Sequence, residues 1–385
     1  MQSKAEVVIV GGGVAGCSIA YHLAKQGVPS LIIERDAIAS QASGKAWGFI
    51  PSPTLLVLYV EGTLVPKGSM RSCLSLTEEG FRRISQVAQQ LKEEGGMDIG
   101  YSELPVIRAV FDETEENNLK GRVSELKREG FEVNWIEEDD IRACSPDIAP
   151  GVRGGTFFPG RQVEPYKYTL ALAQAAEAKG ASIKQGEAVG FRSEGARVNA
   201  VSLATGVMVE ADVVVLAMGP WTGQGTSRLG KEMPTSVHRD QCLVVDLPQR
   251  LPPFRISSGQ GKGVSIIPKV DGKVILGRVE HDVVDFDDRP TEEFRLSVME
   301  AAVSTLPGLE EARLVEHRAA LEAWQPNGGV PMLGRLPGWD NVYLATWLAT
   351  FGIQWSLAVG RIMADLIVKG HTEESLDSFR PDRYV

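Results

Sequence analysis

Residues 7–36 read VVIVGGGVAGCSIAYHLAKQGVPSLIIERD, and this one stretch limits the fold more than any other. Val7 to Val10 is an unbroken β-branched run, the pattern of a strand buried on both faces. Gly11, Gly13 and Gly16 follow as G-x-G-x-x-G. The first permits a tight turn, the second lets the backbone approach a pyrophosphate, and the third lets a helix pack on the strand. Ala15, Ile19 and Leu23 recur every four residues as a helical apolar stripe, which Gly27 and Pro29 bring to a stop. Leu31 to Ile33 is a second strand, closed by Glu34 eighteen positions after Gly16. A carboxylate there accepts hydrogen bonds from both ribose hydroxyls and repels a 2′-phosphate, which disfavours NADP. Strand, glycines, helix, strand and acid in that order predict an adenine-dinucleotide site touched by Gly11, Gly13, Val14, Ala15, Gly16 and Glu34. The VAGC at 14–17 resembles a lipoprotein cleavage site. It is set aside because a strand and a glycine loop precede it, with only Lys4 as a basic residue.

A chain of 385 residues is long enough for two domains with a large core. The net charge is −10, with no basic run, so nucleic acid and anionic membranes are poor partners. Cys17, Cys73, Cys144 and Cys242 are far apart and form no C-x-x-C, which argues against a zinc or dithiol motif and suits a reducing cytoplasm. The expected location is cytoplasmic. The apolar run TLLVLYV at 54–60 is too short to span a bilayer. Segment 51–66 reads as a pair of core strands, with an apolar partner interface as the alternative. His22, His238, His281, His317 and His371 include no pair at metal-ligand spacing, so no metal is expected and structural roles are.

Periodicity predicts helices over 77–95, with Phe81, Ile84, Val87 and Leu91 on one face, over 114–129, and over 164–181. Strands RVNAVSLA, GVMVEA and DVVVLAMG follow, then a β-rich region at about 237–281. A further helix starts behind Thr291 as a possible cap, and a last one runs from about Gly352 to Val368.

Four blocks in fixed order go beyond a generic βαβ unit. They are the N-terminal unit, ASQASGKAWG at 39–48, ADVVVLAMGPWT at 211–222, and the stretch from VPMLGR to FGIQWSLAVGRIMADLI at 330–367. Together they resemble the FAD-dependent D-amino-acid oxidase family, which includes glycine and sarcosine oxidases. The resemblance implies an α/β fold: a Rossmann-like (GR2-type) FAD-binding domain interleaved with an α+β substrate domain on an antiparallel sheet. The expected division gives 1–75, 145–225 and 326–385 to FAD, and 76–144 and 226–325 to substrate. It further implies that Arg35 flanks the ribose, that Ser43 and Lys45 meet the pyrophosphate, and that Ala46 and Trp47 continue that segment. Val189, Ala217, Gly219 and Trp221 would line the adenosine side. Gly334, Phe351, Gly352, Ile353 and Gln354 would lie toward the flavin, where a helix N-terminus stabilises negative charge on its pyrimidine edge. FAD is expected to be bound non-covalently. Hydride would pass from a C–N bond to flavin N5, with no dedicated acid or base required if the amine arrives neutral.

The chain departs from this family in three places. The stretch that carries a carboxylate-binding Arg reads EHRAALEAWQP, with Glu322 at the Arg position; the usual Tyr before IIP is Ser265; and a usual Gly-His is Trp347-Leu348. A carboxylate at 322 repels a substrate carboxylate in a dry pocket. One expectation is therefore an amine lacking a carboxylate there, held by Glu322 among Trp47, Trp324, Trp347 and Leu348. The other is that Glu322 pairs with Arg318 or Arg335 while Arg278 grips the acid. Oxygen or an electron carrier would reoxidise the flavin, in a homo- or hetero-oligomer. A 2-hydroxy-acid dehydrogenase, or a flavin subunit relaying electrons to a partner, are the alternative functions.

Overall fold

The computed structural model describes residues 4–259, 263–280, 282–326 and 328–384; His281 lies outside these. Its first sheet grows from the expected βαβ unit: strand β1 (Lys4–Val10), helix α1 (Val14–Lys25) and strand β2 (Ser30–Glu34). β1 pairs in parallel with β2 and with Met208–Leu216, β2 pairs with Ser182–Gln185, and Val342–Thr346 joins beside Met208–Leu216. The unbroken apolar run of β1 follows from this position. Val7 and Ile9 point into a helical core, while Val8 and Val10 pack on the opposite face with Val198, Val201 and Leu203.

The helical core consists of α1, Met70–Gly95, Pro165–Glu177 and Gly352–Lys369, packed against one another. Segment Ala349–Lys369 is apolar and long enough to cross a membrane, with mean hydropathy 1.3, yet 72% of that window is buried inside the molecule. Its polar groups are satisfied internally. The Trp355 indole N–H donates to Thr77 Oγ1 at 2.8 Å, and Ser356 Oγ meets Tyr168 Oη at 2.8 Å. Contact is closest at Gly80, where an added Cβ would lie 1.9 Å from the Gln354 carbonyl oxygen. Gly80→Ala is therefore expected to destabilise the protein by about 2–4 kcal/mol and to weaken FAD retention, since it pushes on the start of the last helix. Urea unfolding and the visible flavin spectrum of the variant check this.

The second sheet runs in the order Arg313–Trp324, Ser236–Asp246, Val274–Gly277, Val264–Pro268, Arg255–Ser258, Val106–Val110, Gly154–Phe158, Asn134–Ile136. It is antiparallel except where Arg255–Ser258 meets Val106–Val110. Helix Glu292–Thr305 covers one face through Phe294, Val298 and Ala302, and Thr291 caps it, its Oγ1 accepting the Phe294 N–H at 3.4 Å. The short helix Ala42–Lys45 lies against the edge strand Arg313–Trp324.

Three expectations change. The helix predicted at 77–95 begins at Met70, because Met70, Cys73 and Leu76 extend its buried stripe. The strands predicted as GVMVEA and DVVVLAMG form one strand, Met208–Leu216. Segment 51–66 is neither a strand pair nor an exposed patch. It holds a π-helical turn, Leu56–Val60, whose Leu56, Val57 and Val60 are buried. Two elements also fall across the expected domain division: Met70–Gly95 packs in the first core, and Gly154–Phe158 joins the second sheet.

Candidate active site

Chain segments distant in sequence meet beyond the C-terminal ends of β1, β2 and Met208–Leu216, the place where open α/β sheets bind ligands. They line a cleft, open to solvent at one side, with about 210 Å³ of cavity volume. Gly11, Gly13, Val14, Ala15, Glu34, Arg35, Ser43, Ala46, Ala217, Gly219, Trp221, Gly352 and Ile353 all line it. Gly16 does not; a Cβ there would lie 2.0 Å from the Gly11 carbonyl oxygen, so its role is contact between helix and loop.

At one end the Arg35 guanidinium lies 4.6 Å over the Trp221 ring, and Arg228 donates to the Ala188 carbonyl at 3.3 Å. Val189 is exposed and outside the lining, whereas Glu187 and Ala188 form it. In the middle, Glu34 accepts the Gly12 N–H at 2.7 Å and the Asp36 N–H at 2.8 Å. Ser43 Oγ accepts the Val14 N–H at 2.9 Å, above a helix N-terminus with no side-chain cap. Such a terminus is a ready anion site. Gln41, which the sequence did not single out, lines the same wall with its Oε1 buried and unpartnered.

At the far end lie Leu321–Ala323, Trp347, Leu348 and the start of helix Gly352–Lys369. Ala39, Trp347 and Ala349 have φ of +61°, +59° and +47°; of the four non-glycine residues with positive φ among those described, these three line the cleft. Strained backbone gathers at functional sites. The Trp347 indole N–H donates to Thr235 Oγ1 at 3.0 Å and fixes that loop.

Several expected contacts are made elsewhere. Lys45 donates to the Ala319 carbonyl at 2.9 Å and turns away from the cleft. Trp47 packs on Gly277, its indole N–H buried without a partner. Gln354 points inward to the Pro51 carbonyl at 3.2 Å, Phe351 stacks on Trp355 at 4.5 Å, and Gly334 lies against Pro381. Arg278 is held by Glu280 at 2.6 Å and Ser297 at 2.8 Å, outside the cleft lining. Arg318 is taken by Glu316 at 2.8 Å, and no ion pair joins Arg318 or Arg335 to Glu322 among the described residues.

Glu322 does line the cleft. It accepts the Trp324 indole N–H at 3.1 Å, and that indole stacks on His238 at 4.9 Å between ring centres. Burial pushes the Glu322 carboxyl up to about 7, against the lowering effect of the indole hydrogen bond. Behind it, Asp240 lines a small cavity that Glu322 also borders. Burial, and then the Glu322 charge, hold Asp240 well above the usual carboxylate range. No motif marks Asp240. It becomes visible only once Ser236–Asp246 pairs with Arg313–Trp324, setting His238 opposite Glu322 and Asp240 opposite Ala320 on one face.

A cleft with a helix N-terminus in its middle, an acid beside it and an aromatic-backed arginine at one end fits an adenine dinucleotide. The chain matches the FAD-dependent oxidoreductase family profile over residues 6–366. It belongs to that family. The resemblance read from the four sequence blocks stands, and the cofactor is FAD. Glycine oxidase of Geobacillus kaustophilus is 26% identical over 388 residues, covering 100% of this chain and 98% of that protein. The crystal structure of a glycine oxidase from Geobacillus kaustophilus superposes with TM-score 0.89 at 25% identity, covering 100% of both chains. L-Proline dehydrogenase from P. horikoshii shares the fold, with TM-score 0.84 at 21% identity over 100% of this chain and 98% of that one.

Proposed function

We propose that this flavoprotein oxidises the C–N bond of a small amine or amino-acid-like substrate, and that simple α-amino acids are poor substrates. One observation carries the second clause. Glu322 faces the cleft, while Arg278 and Arg318 are engaged by Glu280 and Glu316. FAD, when bound, supplies a flavin ring that takes up hydride at N5. The first sheet would hold that cofactor and the second would roof the substrate. Trp347 and Leu348 supply apolar wall beside Glu322, which excludes water and strengthens the pull of the carboxylate on an ammonium. The ammonium must shed a proton before its carbon can give up hydride. A carboxyl that titrates near 7 is matched to accept it. FAD would be held without a covalent bond, since Cys17, buried in α1, is bonded to the Gly12 carbonyl.

Anaerobic mixing with a substrate panel tests this reading. Primary and N-methyl amines without a carboxylate are expected to bleach the flavin at least tenfold faster than glycine, sarcosine or D-alanine. Rapid bleaching by those three amino acids overturns the reading, and bleaching by 2-hydroxy acids alone moves it to C–OH chemistry.

A further inference from the structure

Four charged side chains among the described residues are nearly inaccessible: Lys269, Arg278, Asp365 and Arg255, at 7%, 8%, 8% and 9% exposure. Three have counter-charges. Lys269 has Glu164 at 3.7 Å, Arg278 has Glu280 at 2.6 Å, and Asp365 has Lys369 at 2.7 Å. Arg255 has none. Its Nη2 donates to Ser265 Oγ at 2.7 Å, its guanidinium lies 4.2 Å over the Phe49 ring, and its Nε is buried without a partner. The charged side chain that acts on it is a second cation, Arg108, whose own carboxylate, Glu115 at 2.9 Å, is already in use. The residues outside the description add no acidic side chain: 1–3 are Met, Gln and Ser, 260–262 are Gln, Gly and Lys, 281 is His, 327 is Asn and 385 is Val.

A buried guanidinium lacking an anion is costly, because desolvation is not offset by an ion pair. Burial, then Arg108, pull its pKa down to about 9, which still leaves it charged at neutral pH. The cation–π contact with Phe49 and one serine hydroxyl satisfy only part of a five-donor fork. We propose that Arg255, with Ser265, is an anion-binding subsite for a small carboxylate. The Nε edge is the free donor, and Ser265 orients the other arm. Phe49, over whose ring the guanidinium lies, forms its floor. The proposal does not rest on the amine reading, and a substrate carboxylate held at Arg255 would count against that reading.

The test uses the FAD-loaded protein with sodium acetate as the probe, and sodium chloride at equal ionic strength as control. Acetate, but not chloride, is expected to raise the thermal midpoint of the wild type and to bind by calorimetry. Arg255→Met is expected to lose at least tenfold in acetate affinity while its own thermal midpoint is unchanged or higher, since a thioether fills the site without charge. Arg255→Lys, which keeps the charge and loses the fork, should fall between. A merely structural Arg255 would give the opposite sign, a lower midpoint in Arg255→Met. Acetate binding to Arg255→Met as tightly as to wild type, or no acetate binding to wild type, overturns the proposal. Competition between acetate and an amine that bleaches the flavin would mark the anion as part of the substrate; binding without competition would mark a separate ligand. Either supports the subsite, and neither depends on the outcome of the amine panel.

Discussion

Gly16→Val is expected to yield protein that purifies colourless and stays so after incubation with FAD. The added Cβ alone would sit 2.0 Å from the Gly11 carbonyl oxygen and 3.2 Å from Ile9 Cγ2. Either α1 lifts off β1 or the Gly11 turn opens, and both displace the helix start that would meet the cofactor's phosphates. Overpacking at a backbone atom that cannot retreat belongs to the severe class, above about 4 kcal/mol. Gly27→Ala is the matched control. Gly27 has φ +77° and nothing within 4 Å of its virtual Cβ. It carries only conformational strain of about 1 kcal/mol, so that variant should remain yellow. Visible absorbance after gel filtration separates the two, and a yellow Gly16→Val would contradict the geometry.

Glu322→Gln carries the second large effect, and it depends on pH. The folded protein raises this carboxyl from its ordinary 4.5 to about 7, through burial. A raised folded value means that the protonated form favours folding. The group is harmless below about 4.5, and its penalty accumulates as pH rises to 7 and is complete above that. Glutamine removes the ionisation, so the variant should be more stable than wild type at pH 8 by up to about 3 kcal/mol. The gain should shrink toward zero near pH 4.5. Asp240→Asn should show the same sign, because Asp240 is raised by burial and by Glu322. Flavin reduction by an amine should change in the opposite direction, losing the rate increase through pH 7 that is expected of the wild type. Urea unfolding at the two pH values, with stopped-flow reduction across the same range, checks both. A Glu322→Gln variant less stable at pH 8 would mean that the carboxylate is paired after all.

The βαβ unit was legible because each of its parts leaves a local trace: a β-branched run, three glycines at fixed spacing, an apolar stripe and a terminal acid. The helix cap at Thr291 and the burial of Ile84, Val87 and Leu91 were legible for the same reason. What sequence could not supply is which way a long side chain turns once two distant strands have paired. Lys45 was read toward the pyrophosphate, yet the strand carrying Ala319 passes close enough to take its ammonium. Asp240 drew no notice, because an acid between Arg239 and Gln241 has meaning only once the strand carrying Glu322 has paired beside it. The run at 54–60 misled in another way: β-branched and leucine residues read as strand, but two faces of core close around the segment and it winds into a helical turn.

The cleft draws its walls from segments far apart in the polypeptide, with residues 10–15 and 345–353 both lining it. During vectorial synthesis the glycine loop emerges first and waits for its counterpart while more than three hundred residues are added. A ribosome-bound intermediate that has not yet reached residue 353 therefore has no enclosed berth for its coenzyme, and capture is deferred until that segment has emerged. Holoenzyme yield in a cell should accordingly track the supply of free FAD after that point, with little benefit from flavin offered earlier.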